Sequence, residues 1–347
     1  MEEYLPHNNG FLIGHEKQEK VFLDAFLSGK MHHAWIIHGP EGIGKATMAY
    51  KIARFLISNI ASQDNGFLNE PTTSLDLSEN HETFKIIASQ ACPDLLVVER
   101  EFDEKKGKHK KEIVVGDTRK INKFMHKTSS NGNYRVVIVD GADRMNRNSQ
   151  NAILKILEEP PAKTIIILTA NNIGAFLPTI KSRCRSLKVS PLSEENISQL
   201  LTRFCPTITE EDKKKISALC EGSIGNAMQI YSQDGLQVYE DLLALLSKNL
   251  YAKQLHKFCD EYGVAKNDEK YQLLTAMLEN FLSKKILSIA KNKPMINIIG
   301  IENVILDDES VSDLIKLKEN IEQLISDTRI SNLDRGKVLL YIFSSLV

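Results

Sequence analysis

The heptapeptide Gly39-Pro40-Glu41-Gly42-Ile43-Gly44-Lys45 follows a short apolar run, AWIIH (34–38), and precedes a helical pattern, ATMAYKIARFLISNI (46–60). Strand, glycine loop and helix form the setting in which backbone N–H groups and a helix N-terminus converge on phosphate oxygens. The heptapeptide matches the GxxxxGK part of a Walker A loop. Gly39, Gly42 and Gly44 let the backbone approach a nucleotide, and Lys45 reaches its β- and γ-phosphates. The next position should carry the Ser or Thr hydroxyl that holds Mg²⁺, but it is Ala46. Thr47 stands one residue late. On a helix that shift turns a side chain by about 100°, so Thr47 is a phosphate-side candidate and no simple substitute.

A second acidic element is YRVVIVDGAD (134–143). Its apolar run ends in Asp140, the Walker B carboxylate expected to serve Mg²⁺. The glutamate that should follow, to activate water, is replaced by Gly141, which can neither orient water nor accept a proton. With Ala46 this makes two separate defects in one hydrolytic site. The expectation is ATP binding with Mg²⁺ in weak or vestigial form, and no turnover by this chain alone.

Other elements must hold these residues. EKQEKVFLDAFLS (16–28) has Val21, Phe22, Ala25 and Phe26 at helical spacing, and DLLVVER (94–100) reads as a strand. DEKKGKHKKE (103–112) reads as a charged hairpin tip or loop, a solvated turn, and 113–129 as a strand end running into a helix from Asp117. RNSQNAILKILEEPP (147–161) is a helix stopped by prolines, and KTIIILTANN (163–172) is another buried strand. Short β-branched strands alternating with helices predict a parallel sheet with flanking helices. Residues 61–80 read as a polar surface insertion. Beyond Pro191 the pattern turns helical, with a strand suggested only at INIIG (296–300). The expected division is an α/β domain over 1–190, a small helical lid over 191–233 and an all-helical domain over 234–347.

The 347 residues carry 44 Lys+Arg against 45 Asp+Glu, so net charge offers no nucleic-acid signature. Cys92, Cys184, Cys205, Cys220 and Cys259 are scattered and form no CxxC pair. Neither a zinc site nor a disulfide framework is expected, and reduced thiols suit a cytoplasmic protein. The N-terminal MEEYLPHNNG lacks the charge and apolar core of a signal peptide, and no apolar run nears the roughly 18 residues of a membrane span.

NAILKILEEPP (151–161) and Ser182-Arg183-Cys184, in that order behind a Walker A loop and an acidic strand, resemble the clamp-loader branch of the AAA+ ATPases. The resemblance implies an AAA+ P-loop domain, a lid and a C-terminal oligomerisation collar. It also implies that Arg183 acts in trans, as an arginine finger on the nucleotide of an adjacent subunit. Where hydrolysing gamma/tau subunits carry a lid arginine that senses γ-phosphate, GSIGNAMQIY (222–231) has Gly225. The loss at Ala46, Gly141 and Gly225, beside a retained Ser-Arg-Cys, resembles the delta-prime pattern of that family. Its implied setting is a hetero-pentameric ring with gamma/tau and delta subunits, part of the DNA polymerase III holoenzyme, a DNA-directed DNA polymerase. The ring loads the beta sliding clamp on primer–template DNA during replication. An active gamma/tau-type ATPase is the alternative. The four-cysteine zinc module common in the family is not expected, since 57–94 contains only Cys92.

Overall fold

The computed structural model describes residues 4–58, 73–103, 108–127, 129, 132–246, 252–264, 268–291, 310–331 and 333–346. The chain divides into two compact units, Met1–Phe204 with Gly222–Gly225, and Cys205–Glu221 with Asn226–Val347.

The first unit is built on a parallel sheet. Its strands are β1 (Ala34–His38), β2 (Leu95–Val98), β5 (Arg135–Val139), β6 (Thr164–Ala170) and β7 (Arg185–Lys188), in the spatial order β2-β5-β6-β1-β7. A two-residue-a-side hairpin, β3 (Phe102–Asp103) with β4 (Lys108–His109), occupies the charged segment. Helices α1 (Glu16–Leu27), α2 (Lys45–Ile57), α3 (Glu82–Ala88), α4 (Val115–Met125), α5 (Arg147–Glu158), α6 (Pro178–Lys181) and α7 (Glu194–Phe204) complete the unit.

The strand sequences explain the layering. Side chains alternate across a strand, and both faces of this sheet are covered. Trp35, Ile37, Val136, Ile138, Ile165 and Ile167 pack with Phe22 of α1 and Met48, Ile52 and Phe55 of α2. The intervening Ile36, Val137, Val139, Ile166 and Leu168 pack with Ile121 of α4 and Ile153 and Leu157 of α5. All seven residues of β6 are buried. Each such aliphatic side chain contributes about 1.5–3 kcal/mol by burial. Ile167→Ala, which opens a cavity beneath β1 and β5, costs about 2–5 kcal/mol.

Three expectations shift. The helix after 113 starts at Val115, not Asp117. The carboxylate of Asp117 accepts from the N–H of Val114 at 3.3 Å and so works from inside the first turn. Residue Ile113 makes a lone bridge to Met145 in place of a strand end. Arg185–Lys188 adds an edge strand where the sequence suggested none. Most of the 61–80 insertion and all of INIIG (296–300) lie outside the described residues.

The second unit is helical throughout its described residues. It holds α8 (Glu210–Leu219), the body of α9 (Ile224–Ser232), α10 (Gly235–Leu246), α11 (Ala252–Gly263), α12 (Asp268–Lys291), α13 (Val311–Ser331) and α14 (Arg335–Ser344). Helix α11 packs on α14, and α12 packs on both α10 and α13. Arg335 bridges to Asp268 at 2.5 Å, and the Tyr262 hydroxyl donates to Asp241 at 2.7 Å. Among the described residues no helix is long and apolar enough to cross a membrane.

Candidate nucleotide site and arginine finger

The phosphate loop leaves the sheet between two strand ends. The N–H of Gly39 donates to the carbonyl of Ala170 at 3.2 Å, and that of Val189 donates to His38 at 2.8 Å. The loop is thus fixed to β6 on one side and to the chain leaving β7 on the other. Behind it, the buried His15 ring donates through Nε2 to the carbonyl of Ile43 at 2.6 Å. Gly44 caps α2 in the left-handed region, with φ of 98°. Lys45, the first residue of α2, is buried and donates to the carbonyl of Pro40 in its own loop. Burial holds its pKa below the usual lysine value, against the opposing pull of Glu41, Asp140 and Asp143. Thr47 lies buried on the same helix.

The strand-end carboxylate is held from the neighbouring strand. Val139 of β5 is in register with Leu168 of β6, which brings Asp140 opposite Thr169. The Thr169 hydroxyl donates to Asp140 Oδ1 at 2.5 Å and accepts from the N–H of Gly141 at 3.0 Å. Asp143 Oδ2 accepts from the N–H groups of Asn171 and Asn172, each at 3.2 Å. The Asn171 amide donates to Glu41 Oε2 at 3.1 Å, tying the phosphate loop to the end of β6. The sequence reading missed Thr169 and Asn171. The signal was available in the strand register, because residues one and three beyond Leu168 face the acidic strand end.

The donor set fits phosphate better than it fits metal. Loop amides and the Lys45 ammonium suit phosphate oxygens. On the metal side Asp140 is engaged by Thr169, position 46 is a methyl group, and Gly141 offers no side chain. Among the described residues no group of three or more His, Cys, Asp and Glu side chains is placed to hold a metal ion.

Gly225 has a backbone partner in the phosphate loop. Its N–H donates to the carbonyl of Gly42 at 2.9 Å, so Gly225, a residue of the first unit, sits against the phosphate loop. A Cβ at Gly225 would lie 2.9 Å from Gly42 Cα, and a Cβ at Gly42 would lie 2.3 Å from Ser223 Oγ. Two glycines face each other because neither position has room for a side chain.

Arg183 follows α6 and is partly exposed. Its Nη1 donates to the carbonyl of Thr179 at 2.9 Å and reaches Ser182 Oγ at 3.4 Å. Its Nη2 pairs with Glu158 Oε1 at 2.9 Å. These contacts do not involve the phosphate loop of the same chain. Cys184, beside it, is an apolar filler, with burial pushing its thiol up to about 12.

The family model described as "DNA polymerase III, delta subunit" matches residues 14–193, a stretch that contains the loop, the acidic strand end and Arg183. The chain belongs to this family. It is accordingly a clamp-loader subunit of the AAA+ class. The DNA polymerase III subunit delta' of Pseudomonas aeruginosa is 31% identical over 228 residues, covering 64% of this chain and 64% of that protein. The subunit gamma of Buchnera aphidicola subsp. Schizaphis graminum is 28% identical over 311 residues, covering 88% and 76%. Among solved structures, a DNA polymerase III gamma subunit-related protein of Thermotoga maritima covers 95% of this chain and 97% of its own at 19% identity, with a TM-score of 0.43.

Proposed function

We propose that this chain is the delta-prime-type subunit of a clamp loader, one that does not hydrolyse ATP and supplies Arg183 to the active site of a neighbouring gamma/tau subunit. The observation that carries this reading is a contrast within the first compact unit. The positions that hydrolysis needs are Ala46, Gly141 and Gly225, whereas Arg183 is intact, partly exposed and free of contacts with its own phosphate loop. A guanidinium brought to a transferring γ-phosphoryl neutralises charge that develops in the transition state, an effect worth several orders of magnitude at the site it serves.

In this reading the 1–190 domain carries the loop and the finger, 191–233 is the lid, and 234–347 is the collar that joins the ring. The partners are gamma/tau and delta subunits, the beta sliding clamp and, through the complex, primer–template DNA. The place of action is the cytoplasm. ATP binds weakly through the loop amides and Lys45. Calorimetry on the wild type and Lys45→Ala tests this, and equal heats refute it.

The deciding experiment is Arg183→Ala in the assembled complex. The variant removes one partly exposed side chain and touches no core, so folding and ring entry persist. DNA-stimulated ATP hydrolysis falls in part, since other interfaces hold their own fingers. Wild-type hydrolysis and clamp loading by the variant complex would sink the reading.

A further inference from the structure

We propose that Glu158 is a latch on Arg183: a counter-ion in cis that keeps the guanidinium neutralised until a neighbour's phosphate displaces it. This rests on the trans-acting reading of Arg183 given above.

The latch is built from two elements. Glu158 is the last residue of α5, and Arg183 stands just past Ser182, the C-cap of α6. The planar guanidinium is divided between them, with Nη1 on the Thr179 carbonyl and Nη2 on Glu158 Oε1, both at 2.9 Å. The carboxylate does not serve its own helix. A negative charge at a helix C-terminus opposes the macrodipole, and the adjoining cation of that turn is Lys155. The Arg183 charge offsets that disadvantage.

The end of α5 is also fixed in place. The carbonyl of Leu157, one of the carbonyls a helix end leaves unpaired, accepts from His33 Nε2 at 2.8 Å. His33 immediately precedes β1, the strand that leads to the phosphate loop. The backbone that carries the carboxylate is therefore tied down at the end of α5.

The pair is also exchangeable. Arg183 and Glu158 are 34% and 48% exposed as side chains. Water competes for such a pair, and its net worth is small. A polyphosphate carries more charge and several acceptor oxygens, so it takes Nη2 from Glu158 once the interface brings it within reach. Until then the finger's charge is quenched, which restrains hydrolysis next door when no DNA is bound.

The test uses the complete reconstituted clamp-loader complex, with ATP hydrolysis measured with and without primer–template DNA and sliding clamp. Wild type, E158Q, R183A and the double variant E158Q/R183A are compared. Glu158→Gln keeps the size and an acceptor oxygen but removes the charge. The DNA-independent rate rises about two- to fivefold, the change that loss of a weak pair allows, and the ratio of stimulated to unstimulated rates falls. In the double variant the rise disappears, because it acts through Arg183. If R183A hydrolyses less than wild type while E158Q keeps the wild-type ratio, or lowers both rates alike, the latch is refuted and the finger stands. If R183A equals wild type, the finger is refuted and the latch falls with it. Should E158Q enter the ring poorly, E158D carries the same test, its carboxylate one methylene short of the guanidinium.

Discussion

Gly225 and Gly42 are joined backbone to backbone, the N–H of one on the carbonyl of the other at 2.9 Å, with no room for a Cβ on either. Gly225 therefore has a structural role of its own. Restoring a side chain there collides with the phosphate loop before it can reach a phosphate.

Gly225→Ala measures this directly. Helix propensity alone favours Ala over Gly by about 1 kcal/mol or less near a helix start. Against it stands a contact with backbone atoms, which cannot rotate away, and overpacking of that kind costs about 1–3 kcal/mol. The collision prevails, so the thermal midpoint falls for Gly225→Ala and for Gly225→Arg. A midpoint that rises in Gly225→Ala would mean that the close approach is not sustained in solution.

On the non-hydrolysing reading proposed above, introducing Ser at 46 and Glu at 141 is not expected to create an ATPase. Gly141 has φ 67° and ψ 41°, in the left-handed region. A non-glycine residue there costs roughly 1–2 kcal/mol. Space is not the obstacle, since the nearest atom to a Cβ is Arg144 Cγ at 4.0 Å. The double variant Ala46→Ser with Gly141→Glu folds, melts lower than wild type, and turns over ATP far below about 1 per second, because Gly225 remains. Turnover at or above that rate by the purified chain would favour a gamma/tau-type ATPase.

Thr169→Val isolates the clasp on the acidic strand end. Thr169 is 1% exposed, and its hydroxyl is shared between Asp140 and the N–H of Gly141. Valine fills the same volume and leaves both partners one hydrogen bond short. The expected loss is about 1–3 kcal/mol, with Thr169→Ser losing less, read as the shift in thermal midpoint. Equal midpoints for all three proteins would show that the clasp contributes nothing.

Much of the scaffold was legible because burial on two faces leaves a plain mark. AWIIH, RVVIV and TIIILTA are nearly continuous apolar runs, and each became a strand with both faces covered. Strand β7 left no such mark, because in RSLK only Leu187 is buried and the other three side chains face solvent. Val114 and Val115 misled for a related reason. Their β-branched side chains read as strand, but Asp117 can cap the chain from within the turn, and the capped helix prevails over local propensity. The loop residues and Arg183 were legible as motifs. Their partners were not. LEEPP contains two adjacent glutamates, and only the orientation of the last turn of α5 decides that Glu158 meets Arg183. Gly225 looked like a deletion of function, since a backbone contact to Gly42 leaves no trace in side-chain chemistry.

Arg183→Lys separates charge from shape. In the resting chain the guanidinium uses two nitrogens on two elements, Thr179 and Glu158, which fixes its plane at the end of α6. An ammonium has one nitrogen on a flexible stem, so it holds one of these partners at a time and presents a point charge. Fold and ring entry are unaffected, since a partly exposed cation replaces another. If Arg183 acts in trans as proposed, its planar fork meets two phosphoryl oxygens of the served site together, which a lysine ammonium does poorly. DNA-stimulated ATP hydrolysis by the Arg183→Lys complex should therefore lie much nearer to Arg183→Ala than to wild type. The loss at the served site is on the order of a thousandfold, and the loss for the ring is that site's share of the total. If Arg183→Lys instead hydrolyses like wild type while Arg183→Ala does not, a positive charge alone suffices at this position. The planar fork, and with it the divided grip of Thr179 and Glu158, would then have no part in the mechanism.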